Sequence, residues 1–209
     1  MFNVCPQCGM YKADKKITDK DSKNCTAKAE CPDCGYKYSF SYMPLYLLIG
    51  TSGSGKTAVS RELVKMTDNY TILEGDILWC EQFNNPEKNY KEFKEIWLRL
   101  CKNISLTGKP MVLNIAGTPE EFEKCIERRY FSQIHYFVLV CEEHELKKRL
   151  NDRPEWRNST QNLEGHLKYN RWLKNNIPSN ELPAKLFDTT GKTPHETAVF
   201  PEPLVPINR

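Results

Sequence analysis

With 209 residues, 39% of them hydrophobic and 27% charged, the chain has room for one ordinary domain and a small appendage. No run of about 18 uncharged apolar residues occurs, which excludes a helical membrane span. The opening MFNVCPQCGM lacks the basic and apolar regions of a secretory leader, so a cytoplasmic location is expected. The net charge of +3 suits phosphate-bearing ligands and falls short of a nucleic-acid footprint.

Residues 1–43 differ from all that follows. They hold five of the nine cysteines, many lysines and no core-forming run, and YKYSFSY reads as a strand. From Pro44 onward, apolar runs alternate with amphipathic stretches. Strands are expected at 45–49, 70–73, 111–115, 134–140 and 184–187, with helices at 56–66, 89–104, 120–128, 143–150 and 163–174. Strand-then-helix order with continuous apolar strands implies an α/β fold, a parallel sheet of about five strands covered by helices on both faces. The tail beyond Thr197, with Pro201, Pro203 and Pro206, is expected to end the fold. Two domains are therefore expected, 1–43 and 44–209.

Gly50, Thr51, Ser52, Gly53, Ser54, Gly55, Lys56 and Thr57 match the G-x4-G-K-S/T pattern, with a buried strand before and a helix after. The glycines let the backbone turn tightly and aim N–H groups at phosphate oxygens, and the helix N-terminus adds partial positive charge. Lys56 is placed to reach the β- and γ-phosphates of ATP or GTP, and the Thr57 hydroxyl to sit on Mg2+.

A phosphate cradle alone does not separate kinases from GTPases, motors or helicases. Three features favour a kinase. The domain is small. Glu74-Gly75-Asp76 follows a strand, where an acid can accept or orient an attacking hydroxyl, although Asp76 could instead be a cap or turn residue. Lys147, Lys148, Arg149, Arg153 and Arg157 crowd one region, the three arginines spaced four apart with Pro154 between the last two. Arginines on a closing segment would offset charge on the transferred group; a solvated basic helix end is the competing reading, strongest for the two lysines.

GTSGSGKT, LEGDILW, IHYFVLVCEEHELKKRL, NDRPEWR, NRWL and LFDTTGKT together resemble the P-loop nucleoside/nucleotide kinase superfamily of small broad-specificity enzymes, over residues 50–198. The resemblance implies five parallel strands, NDRPEWR as a lid, Asp76 as the acceptor-site carboxylate, and Asp188, Thr189 and Thr190 beside the nucleotide base. It departs from many P-loop enzymes at MVLNIAGT, which ends without the carboxylate that holds Mg2+ through water. Magnesium support then falls to Thr57 with Glu74 or Asp76, and Gly117-Thr118 reads as a substrate-facing loop. Trp79 to Phe83 could stack a nucleobase or pack as core, and Arg128 and Arg129 could grip an acceptor phosphate or end a solvated helix.

Cys5-Pro-Gln-Cys8-Gly and Cys31-Pro-Asp-Cys34-Gly are matching turns that offer four thiolates for tetrahedral Zn2+, resembling a zinc ribbon; a redox pair is the weaker alternative. Cys25 lies off the pattern, and Cys80, Cys101, Cys125 and Cys141 are expected to pack as hydrophobes. A segment so small is expected to draw its folding energy from the metal. Lys12, Lys15, Lys16, Lys20, Lys23 and Lys28, partly offset by acids, make its central loop basic.

The expected activity is γ-phosphate transfer from a nucleoside triphosphate to a nucleoside, nucleotide or similar hydroxylated small molecule. The alternatives are a polynucleotide-end kinase whose ribbon holds the strand, which is less favoured, and a non-catalytic nucleotide-sensing module.

Overall fold

The computed structural model describes residues 2–154, 161–177, 182 and 184–199. Its first sheet is antiparallel, built from β1 (Lys16–Asp21), β2 (Thr26–Glu30) and β3 (Lys37–Ser41) in that order. The second has β4 (Leu45–Gly50), β5 (Thr71–Glu74), β6 (Met111–Asn114), β7 (Ile134–Val140) and β8 (Ala184–Asp188), all parallel, in the order β5-β6-β4-β7-β8. This is the expected five-stranded P-loop kinase-like sheet.

Why the strands read as continuously apolar is visible in β4. Successive side chains point to opposite faces. Leu45, Leu47 and Ile49 join a core with Trp97, Leu98 and Cys101 of α2 (Lys91–Ser105), Phe122 of α3 (Pro119–Glu123), and Leu173 of α5 (Leu163–Asn176). Tyr46 and Leu48 face the other way, onto Val59 and Leu63 of α1 (Lys56–Met66) and Ala198 of α6 (Pro194–Ala198). A smaller cluster forms under α4 (Glu143–Asn151), from Cys141, Leu146, Leu150 and Leu167.

Three expectations are corrected. The helix expected over 120–128 is two pieces: α3, then an extended Cys125 and a 3-10 turn at Ile126–Tyr130. The break is tertiary in origin, because Glu95 accepts from the backbone N–H groups of Ile126 and Glu127 at 2.7 and 3.2 Å, which a continuing helix would have used. Cys80 is exposed rather than packed. Lys15 is wholly buried, donating to the Asn3 carbonyl at 3.1 Å, so it contributes nothing to a basic surface. Local pattern also missed α6 and the 3-10 turns at Gly75–Leu78, Glu81–Phe83 and Pro86–Lys88. The proline-rich tail at 201–209 lies outside the described residues. Among these residues no helix is long and apolar enough to cross a membrane.

The N-terminal sheet is fastened to the larger one by a buried polar and aromatic junction. Phe2, Phe40 and Tyr130 pack edge to face, with ring centroids 4.9 to 6.1 Å apart. Beside them the Lys102 ammonium pairs with Glu127 at 2.7 Å, donates to Asn3 Oδ1 at 2.6 Å, and lies 4.7 and 4.4 Å from the Phe2 and Tyr130 ring centroids. Arg99 holds the other Glu127 oxygen at 2.8 Å. A carboxylate buried this fully survives only with such partners. The expectation that metal alone holds this segment therefore omits a second source of order.

Candidate functional site

The cradle sits where β4 meets α1. Gly50 has no space for a side chain: a Cβ there would lie 2.4 Å from Ser54 Oγ and 2.6 Å from the Leu139 carbonyl. Gly53 and Gly55 hold φ of +84° and +103°, a left-handed backbone that other residues adopt at a cost. The Lys56 ammonium folds over the loop, donating to the Gly50 and Thr51 carbonyls at 2.7 and 3.1 Å. Burial pushes its pKa down to about 8, opposed by the charge of Asp76.

Thr57 donates to Glu74 at 2.5 Å, so the hydroxyl and carboxylate named for magnesium meet across the α1–β5 gap. The oxygens are hard ligands, the donor set Mg2+ prefers. Asp76 is exposed one turn further on. Its turn is pinned from below, because Trp97 Nε1 donates to the Gly75 carbonyl at 3.1 Å.

Two cavities open from this point. One, of about 450 Å³, is bordered by Gly53, Gly55, Thr57, Arg61, Arg149 and Arg153. The other, of about 540 Å³, is bordered by Asp76, Trp79, Tyr90, Phe93, Asn114 and Tyr169 among others. Thr51 and Lys56 line both, so the cavities meet at the lysine.

The three arginines separate. Arg149 pairs with Glu145 at 2.8 Å and donates to the Thr189 hydroxyl and carbonyl, each at 2.9 Å, which makes it a tie between α4 and the loop after β8. Arg153 borders the first cavity. Arg157 lies outside the described residues, as do Glu155 and Trp156 of the NDRPEWR segment. Thr189 is buried, and its hydroxyl donates to the Ser54 and Val140 carbonyls, both at 3.1 Å, bracing the cradle. Asp188 accepts from the backbone and hydroxyl of Thr190 at 2.9 and 2.6 Å.

Arg128 is spent on Glu123 and the Phe131 carbonyl, at 2.7 and 2.9 Å. Arg129 donates to the Ile126 and Asp14 carbonyls. Neither borders the second cavity. Gly117 and Thr118 do. Trp79 is 45% exposed at the cavity, so it is not part of the core, although it packs edge-on to Phe93 at 5.3 Å.

Residue-by-residue reading missed His166. Its Nδ1 lies 3.3 Å from Thr51 Oγ1 at the mouth of the cradle, and burial together with Arg153 and Lys56 lowers its pKa. A histidine in mid-helix carries no local signal of such a contact. Asn114 and Tyr90 were missed for the same reason. Tyr90 stands in the left-handed region at φ +53°, next to Asn89 at +50°, a strained pair at the cavity rim.

At the N-terminus the four Sγ atoms of Cys5, Cys8, Cys31 and Cys34 lie within 4.8 Å of one another. Cys5 and Cys34 are 3.7 Å apart and Cys8 and Cys31 3.8 Å, close to the roughly 3.8 Å edge of a tetrahedron with Zn–S bonds of about 2.3 Å. These separations are far too long for disulfides. Gly9 and Gly35 both have φ of +74°, so the two turns are conformational copies. The donor set and spacing fit zinc.

Sheet order, cradle and paired cavities define a P-loop protein of kinase-like fold. A family model described as an AAA domain matches residues 47–167, more than half the chain, and the chain belongs to that family. No curated protein matches. Among solved structures, the tunicamycin resistance protein of Deinococcus radiodurans is similar at 15% identity and a TM-score of 0.54, covering 75% of this chain and 91% of that one. A sugar kinase from Janibacter sp. HTCC2649 (16% identity, TM-score 0.51) covers 75% and 90%. A gluconokinase from Sinorhizobium meliloti 1021 (19%, 0.51) covers 75% and 88%. At such identities the likeness is one of fold.

Proposed function

We propose that the chain is an ATP-dependent phosphotransferase, moving the γ-phosphoryl group to a hydroxyl of a small molecule held beside Asp76. The observation that carries this reading is the meeting of two cavities at Lys56, one bordered by the cradle and Arg153, the other by an exposed carboxylate. In it, residues 50–57 hold the triphosphate. The acceptor oxygen attacks the γ-phosphorus, its proton passes to Asp76, and the bond to the bridging oxygen breaks to release the diphosphate. Lys56 and Arg153 offset charge on the transferred group, and Arg149 keeps the cradle and the Thr189 loop in register. Thr57 and Glu74 would hold Mg2+, which supplies charge neutralisation on the β- and γ-oxygens. The four cysteines would hold Zn2+ in a ribbon, residues 1–43, attached to a kinase domain, residues 44–209.

Transfer of labelled γ-phosphate to nucleosides, nucleotides, sugars and hydroxylated antibiotics tests the reading. Asp76→Asn is expected to lower turnover by about 10²- to 10⁴-fold while leaving ATP affinity intact. Slow hydrolysis alone on every acceptor would contradict it.

A further inference from the structure

We infer that the acceptor is an uncharged, polyhydroxylated molecule with one flat apolar face, carrying neither phosphate nor carboxylate; this deepens the phosphotransferase reading and rests on it.

A site for an anionic acceptor needs a cation that is free to turn onto it, because a desolvated anion without one is strongly disfavoured. The second cavity offers none among the described residues. Lys94 comes nearest. Its side chain is 4% exposed, paired with Glu121 at 3.0 Å and bonded to the Asn89 carbonyl. The ammonium also lies 5.8 and 5.9 Å from the Tyr90 and Phe122 ring centroids. Its charge is paired and two of its three donors are engaged. Lys56, on the phosphotransferase reading, is committed to the transferred phosphate. His166 is in contact with Thr51, and burial, together with the neighbouring Arg153 and Lys56, disfavours its charged form. Among the described residues that line the cavity, Asp76 and Glu121 balance Lys56 and Lys94, so the wall carries no excess of positive charge.

What the cavity does present is suited to hydroxyls and a ring. Asn114 is 3% exposed, and its amide Nδ2 is buried with no protein partner, although it borders the cavity. A buried donor of this kind is unfavourable until a ligand oxygen satisfies it. The same cavity is lined by Trp79 and Tyr90, 45% and 36% exposed, with ring centroids 5.8 Å apart and Phe93 edge-on to the indole. Exposed aromatic faces over a cavity with few directed polar groups bind flat, uncharged ligands.

The test uses the full-length protein with matched acceptor pairs: each common nucleoside with its 5′-monophosphate, and neutral hexoses with their 6-phosphates and aldonic acids. The neutral member of a pair should show kcat/KM at least about 100-fold above its charged partner, which corresponds to about 2.7 kcal/mol. Asn114→Ala should raise the acceptor KM about tenfold with the KM for ATP unchanged. Glu121 also accepts from the Thr118 N–H at 2.7 Å, capping α3; Glu121→Gln keeps that cap while uncovering Lys94, and should narrow the gap between charged and neutral partners. Preference for phosphorylated or carboxylate acceptors would overturn the inference and leave the phosphotransferase reading standing. Absence of transfer to every member, with ATP still bound, would overturn both.

Discussion

On the proposed phosphotransferase reading Lys56 must carry a full charge to hold phosphates, yet burial lowers its pKa to about 8. Bound phosphates would stabilise the charged form and raise that value again. Above pH 8, therefore, the free protein has lost a proton that the complex must regain, and binding takes one up. ATP affinity should be level below pH 8 and weaken above it, by up to about tenfold per pH unit. Titration calorimetry in two buffers of different ionisation enthalpy would detect the uptake; an affinity unchanged to pH 9.5 would refute it. Lys56→Arg should remove the break, because guanidinium stays charged. The lysine was legible from its motif. Its depressed pKa was not, because desolvation depends on what packs over the loop. His166, Asn114 and Tyr90 stayed hidden on the same ground, being ordinary residues until β6, α2 and α5 converge on them.

Among the elements, α2 works at both ends. Its first turn sets Phe93 and Lys94 against the second cavity, while further along Arg99 and Lys102 grip Glu127 beneath the N-terminal sheet. Lys102→Met should cost about 3–5 kcal/mol in urea unfolding, because it strips a partner from a fully buried carboxylate. Adding Glu127→Leu should recover much of that loss. A single variant as stable as the parent would show that Glu127 does not need the lysine. Periodicity located α1, α2, α4, α5 and all five parallel strands to within a residue or two at most boundaries. It failed at 120–128, where Glu95 on a different helix captures the backbone and ends the run. A capping partner 32 positions away in sequence leaves no mark in a local window.

For the whole molecule, the four clustered thiols and the Lys102 junction act on the same segment. Metal analysis should return about one zinc per chain, lost in Cys34→Ser. Chelation should unfold residues 1–43 and also lower the thermal midpoint of the rest, because Lys102 and Tyr130 lose partners when the N-terminal sheet detaches. An unchanged midpoint after complete zinc removal would show that the two parts are energetically independent. By the same argument, deletion of residues 1–43 is not a neutral truncation: it would leave the Lys102–Glu127 pair facing water.

The sequence by itself determined the α/β order, the cradle at residues 50–57 and the pairing of two cysteine turns, because each depends on residues close in the chain: periodicity, glycine backbone freedom, ligand spacing. Only the tertiary structure decided that two cavities meet at Lys56, that Arg149 and Thr189 brace the cradle, that Arg128 and Arg129 are spent away from the second cavity, and that Lys94 is neutralised by Glu121. Each of those is a contact between separate elements, settled by how helices pack on the sheet and by which buried charges find a partner there.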